Sequence, residues 1–157
     1  MENEILLKEF EERFEKLKKE IGFSTQLEEL DKEFFIKDGI AKDKFLSQKL
    51  SRQICYRIVE AFVSWNDYLH SLIMPNPQNM LNMSESKIFS QEEKKEMMGL
   101  MKIAMEISSR NGLIGLKHDK KIEAQFIDDA LNIWSKKFKP KIIKILDKIN
   151  KEWGKKE

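Results

Sequence analysis

The chain has 157 residues, of which 41% are hydrophobic and 36% charged, with a formal net charge of +2. That length suits one compact domain around one core. A lone cysteine, Cys55, excludes an intrachain disulfide, and no run approaches the roughly 20 apolar residues that a membrane-spanning helix needs.

Valine occurs only at Val59 and Val63, while Leu, Ile, Met and Phe are plentiful, so the β-branched runs that favour strands are missing. The expected fold is all-α and single-domain, a helical bundle of four principal helices plus a short extra helix, with no sheet. The start carries Glu2 and Glu4 where an export signal would have a basic region. With the single cysteine, this sets the expectation of a cytoplasmic protein.

Leu7, Phe10, Phe14, Leu17 and Ile21 recur three and four apart and predict a first amphipathic helix, ended by Gly22 in the left-handed region. This seam is also a candidate dimerisation edge. Thr25 with Glu28 has the spacing of a capping box, opening a short helix through Leu27, Leu30 and Phe34 that should stop before Asp38-Gly39. The third and most apolar segment runs from about Lys42 to Ile73. Ile54, Ile58, Phe62, Trp65, Leu69 and Leu72 form its face, and Tyr56, Val59 and Val63 widen the apolar arc.

Met74-Pro75-Asn76-Pro77 ends that helix, because proline cannot continue the hydrogen-bond ladder. A loop to about Ser90 is expected, with 74–90 the segment expected to be mobile. Ser90 with Glu93 is a second capping box, opening a helix whose face is Met97, Met98, Met101, Ala104 and Met105 and which Asn111-Gly112 should close. The segment Ser108 to Gly112 is read as a helix end in preference to a phosphate-binding nest. Asp119 then caps a helix through Ile122, Phe126, Ala130, Ile133 and Trp134, and at Pro140 either a kinked continuation, the favoured expectation, or a new helix carries Ile142, Ile145, Leu146, Ile149 and Trp153.

No nucleotide-binding glycine loop, nucleophile elbow, H-E-x-x-H motif or cysteine pair is present, so an enzyme is the less favoured class and no catalytic residue is assigned. Three other constellations stand out. Asp67 and His70 lie three apart on the long third helix, and Glu123 falls inside the apolar arc of the fifth. A carboxylate there needs a partner, a metal ion, a lysine or a helix-start amide, because an isolated buried charge is too costly to persist. With a divalent metal ion as that partner the three would form a carboxylate/histidine centre, the alternative reading. Ferritin-like bundles, however, repeat Glu-x-x-His on two helices, whereas this chain has Asp-x-x-His once. An edge-of-core polar network is the plainer account.

Every methionine except the first lies between Met74 and Met105. Flexible, polarizable Met side chains suit either irregular core gaps or a partner groove, which makes Met97, Met98, Met101 and Met105 interaction candidates. Residues 136–157 hold nine Lys against three acidic residues, a local excess of six positive charges. Lys141, Lys144, Lys148 and Lys151, with Trp153, are therefore candidates for an acidic partner or for nucleic-acid phosphates. Base-specific reading is disfavoured, since no arginine lies in this stretch, and a membrane-surface role is the least favoured. The function expected is a non-enzymatic interaction module without a cofactor, binding a protein partner or its own copy.

Overall fold

In a computed structural model, which describes residues 1–155, every regular element among the described residues is helical. The order is α1 (Glu2–Ile21), α2 (Leu27–Phe34), α3 (Ile36–Asp43), α4 (Leu50–Ile73), α5 (Met80–Lys87), α6 (Gln91–Lys117), α7 (Lys120–Ile133), a π turn (Trp134–Phe138) and α8 (Lys139–Trp153). No helix among the described residues is long and apolar enough to cross a membrane. The chain divides into two compact units: Met1–Ala61 with Ile107–Leu131, and Phe62–Glu106 with Asn132 onwards.

Local signals set several helix ends. Gly22 adopts φ 87° and its N–H closes α1 on the Lys18 carbonyl. The Ser90 N–H donates to Glu93 Oε1 at 3.0 Å and the Glu93 N–H to Ser90 Oγ at 3.2 Å, a reciprocal capping box. Asp119 Oδ1 accepts from the Lys121 and Ile122 amides at the start of α7.

Elsewhere tertiary contacts override the local pattern. Thr25 does not cap α2: its hydroxyl and amide both donate to Asp128 of α7, and the N-cap of α2 is Gln26, without a side-chain cap. Asp38-Gly39 is not a break but lies within α3, where Gly39 is buried against Arg57, whose Nε would be 2.9 Å from an added Cβ. The third segment is divided: Lys44 turns left-handed at φ 62°, and α4 begins only at Leu50. There the Gln53 side chain accepts from the Ser47 amide and donates to the Phe45 carbonyl, so residues 45–49 spend their polar groups on a turn.

The stretch expected as a loop contains α5. Its side chains serve the end of α4, where the last carbonyls have no intrahelical donor: Asn82 Nδ2 donates to the Ser71 carbonyl at 2.9 Å, and Ser86 Oγ to the Leu72 carbonyl at 2.6 Å in the interior. Asn111-Gly112 does not close α6, which continues to Lys117 before His118 turns left-handed at φ 56°. Asn111 is buried, its side-chain and main-chain oxygens both accept from Arg52, and Ile114 beyond it is buried. At Pro140 the helix continues through the π turn, in which the Lys139 N–H reaches back to the Trp134 carbonyl. The wider turn opens the ladder just before a residue that has no N–H to give.

In the first unit Phe14 packs edge-on to Phe10 and Phe23, and Phe10 and Phe14 are fully buried, so the middle of the α1 seam belongs to the core. In the second unit Phe62 meets Trp134 and Phe138 edge-on at centroid distances of 5.2 and 5.0 Å, while Trp134 and Phe138 stack on each other. Edge-to-face pairs add to the burial term because the positive ring edge meets the negative face.

Candidate functional site

In the second unit, the last turns of α4, helix α5 and the end of α8 surround a shallow depression of about 580 Å³ lined by Tyr68, Ser71, Leu81, Asn82, Glu85 and Trp153. Its central group is the Glu85 carboxylate. Tyr68 Oη donates to Glu85 Oε1 and Trp153 Nε1 to Glu85 Oε2, both at 2.9 Å. Burial, with the Glu85 hydrogen bond and charge beside it, pushes the Tyr68 hydroxyl up to about 12. The phenol therefore stays a donor at physiological pH, and Glu85 is held by two aromatic donors. Trp65 meets the Tyr68 ring edge-on. The apolar side chains of the depression are open to solvent: Leu81 is 67% and Trp153 51% exposed.

The methionine candidates separate. Met97 is buried core, Met101 is half-buried, and Met98 and Met105 are exposed, with Asn66 Nδ2 donating to Met105 Sδ at 3.7 Å. The lysine candidates separate too. Lys148 donates to both oxygens of Glu93 at 2.7 Å and lies over the Phe89 ring, and this hydrogen bond, above all, holds the Glu93 carboxyl below its usual range. Lys151 bridges to Asp147 at 3.0 Å. Lys141 and Lys144 are exposed, as are Lys136 and Lys137, and none of the four has an acidic partner among the described residues. Lys156 and Glu157, counted in the basic excess, lie outside the described residues.

In the first unit Glu123 is buried, and its partner is Arg52. The guanidinium donates to Glu123 Oε2 at 3.0 Å through Nη1, and through Nη2 to the Asn111 carbonyl at 3.1 Å and to Asn111 Oδ1 at 2.8 Å. Desolvation works against the Arg52 charge, yet Glu123 and neighbouring groups outweigh it and keep the guanidinium above its ordinary value. Asp67 and His70, the other two metal candidates, are exposed residues of α4. Among the described residues no three His, Cys, Asp or Glu side chains gather as a metal-holding group.

The demand that Glu123 have a partner was legible in the sequence, but the partner is Arg52 and none of the three expected, a metal ion, a lysine or a helix-start amide. Asn111 was read as a helix end, and nothing in the spacing of Tyr68, Glu85 and Trp153 announces that they meet, because α5 has almost no amphipathic pattern. Comparison of the chain with known protein families, curated proteins and solved structures finds no match.

Proposed function

We propose that the chain is a non-enzymatic helical interaction module that receives a short segment of a protein partner in the Trp153 depression of the second unit. The observation that supports this reading is the exposed pair Leu81 and Trp153 lining the depression with the Glu85 carboxylate. Clustered exposed apolar side chains mark recognition surfaces, and tryptophan and tyrosine are enriched among residues that dominate binding. An acidic group beneath an apolar rim suits a segment carrying a Lys or Arg next to an apolar residue, its cation attracted to both the carboxylate and the aromatic faces. On this reading the scaffold is a bundle of four principal helices, working in the cytoplasm without a cofactor.

The test is selection of short displayed peptides on the immobilised protein, followed by titration of the enriched peptides against Trp153→Ala and Glu85→Gln. Enriched peptides should pair a basic with an apolar residue and bind Trp153→Ala about tenfold more weakly. Absence of enrichment, or indifference to both substitutions, overturns the reading. Self-association lost on Trp153→Ala would assign the surface to a second copy instead.

A second reading, binding of nucleic-acid phosphates along the π turn and α8, is favoured by exposed Lys136, Lys137, Lys141 and Lys144, which have no acidic partner among the described residues. It requires affinity for a mixed-sequence duplex that falls steeply with salt. Salt-insensitive binding, or none, removes it.

A further inference from the structure

The first unit contains a cavity of about 770 Å³, within the roughly 300–1,000 Å³ of small-molecule sites. Arg13 and Lys16 of α1, Lys49 before α4, Arg52 and Lys120 are its cations, Glu20, Asp119 and Glu123 its carboxylates, and Leu17, Ile21 and Ile114 contribute apolar wall. The ionic groups of this wall do not balance. Arg52 is matched by Glu123 at 3.0 Å and Lys120 by Glu20 at 3.3 Å. Asp119 is occupied in capping α7. Arg13, Lys16 and Lys49 have no acidic partner among the described residues, and Arg13 is held in place by donating from Nη2 to the Ser47 carbonyl at 2.6 Å. Five cations against three carboxylates leave this half-open wall with an excess of two positive charges, and an anion entering the cavity relieves their repulsion.

We propose that this cavity binds a phosphate ester with an organic body of about nucleotide size. A monocarboxylate would compensate only half of that excess, whereas a phosphate monoester brings nearly two negative charges and acceptor oxygens that suit the fork of an arginine. The volume far exceeds what a phosphate group alone fills. Leu17, Ile21 and Ile114 bury the remainder of the molecule, and the Tyr56 ring, 58% exposed, adds a planar surface at the wall. The site is separate from the Trp153 depression, so either assignment stands or falls without the other.

Calorimetric titration of the full chain with inorganic phosphate and with AMP, at about 50 mM salt, tests the proposal. Both should bind at one site per chain, AMP about tenfold tighter because its body is buried as well. The double variant Lys16→Glu/Lys49→Glu, at two exposed positions, should keep the helical circular dichroism of the parent and lose about tenfold or more in affinity for both probes. Lys8→Glu/Lys32→Glu, at two exposed positions outside the cavity wall, serves as the control and should leave both affinities within about twofold. Absence of phosphate binding, equal binding by the Lys16/Lys49 variant, or loss on the Lys8/Lys32 control each overturns the site. AMP no tighter than phosphate overturns the organic body.

Discussion

Arg52 and Glu123, 71 positions apart in sequence, form a part-buried ion pair at 3.0 Å, with the Glu123 side chain 8% and the Arg52 side chain 16% exposed. The guanidinium simultaneously occupies both oxygens of Asn111. It also passes so close to Gly115 that an added Cβ would sit 3.3 Å from Nη2. Removing one member leaves the other charged and unpaired in the interior, which is costlier than the pair is favourable. Arg52→Ala should therefore cost about 3 kcal/mol, the lower end for a broken buried pair. Glu123→Gln, which keeps an acceptor, should cost about 1–2 kcal/mol. Urea midpoints at unchanged slope measure both, and an Arg52→Ala protein as stable as the parent would show that the pair contributes nothing.

Asp128 gives a pH-dependent prediction. Burial is the largest single influence and pushes its carboxyl up, but hydrogen bonds from the Thr25 hydroxyl, the Ser24 and Thr25 amides and the Ser24 hydroxyl together outweigh it and hold the carboxyl below its usual range. A depressed folded pKa contributes stability above the unfolded value, about 3.9 for Asp. That contribution is lost as pH falls through the lowered folded value. Asp128→Asn should be less stable than the parent by about 1–2 kcal/mol at neutral pH, and the gap should close under acid. A gap that persists unchanged to acid pH would contradict the assignment.

Gly112 distinguishes the helix end expected from Asn111-Gly112 from the continuous α6. Within α6 it is exposed, without positive φ, and nothing lies within 4 Å of an added Cβ. Gly112→Ala should accordingly stabilise by about 0.5–1 kcal/mol, through the smaller conformational entropy of alanine in the unfolded chain. The same holds for Gly99→Ala, which also has open space around its Cβ. A lowered melting temperature for Gly112→Ala would instead indicate a left-handed residue there.

Cys55 is fully buried, and burial pushes its thiol far above the ordinary range, with the Glu123 charge adding to the effect and Arg52 opposing it. Since the thiolate is the reactive form, the native protein should resist iodoacetamide. Intact-mass labelling across a urea series should rise only with the loss of helical circular dichroism. Labelling that is complete before the transition would show that the α4 packing opens locally.

The readable parts of the fold are those whose energy is local. Gly22, the Ser90–Glu93 box, the Asp119 cap and the two prolines after Met74 act within one helical turn, so spacing alone reveals them. Trp153 was legible as a candidate contact residue because it follows Ile142 and Ile149 on one helix while lying at the chain's polar end. Its partners were not legible, since Glu85 stands on a helix whose sequence, MLNMSESK, has little helical periodicity.

The sequence by itself determined that the chain is helical, where α1 and α4 end, where α6 and α7 begin, and that Glu123 requires a partner. Only the tertiary structure decided that the partner is Arg52, that α6 runs through Asn111-Gly112, and that residues 80–87 fold as a helix. The physical reason is a difference in magnitude. A cap or propensity signal contributes about 1 kcal/mol. Satisfying a buried charge, or the free carbonyls at the end of α4, is worth several times that in combination. Where such demands meet a local signal they prevail, and the residues that satisfy them come from distant parts of the chain.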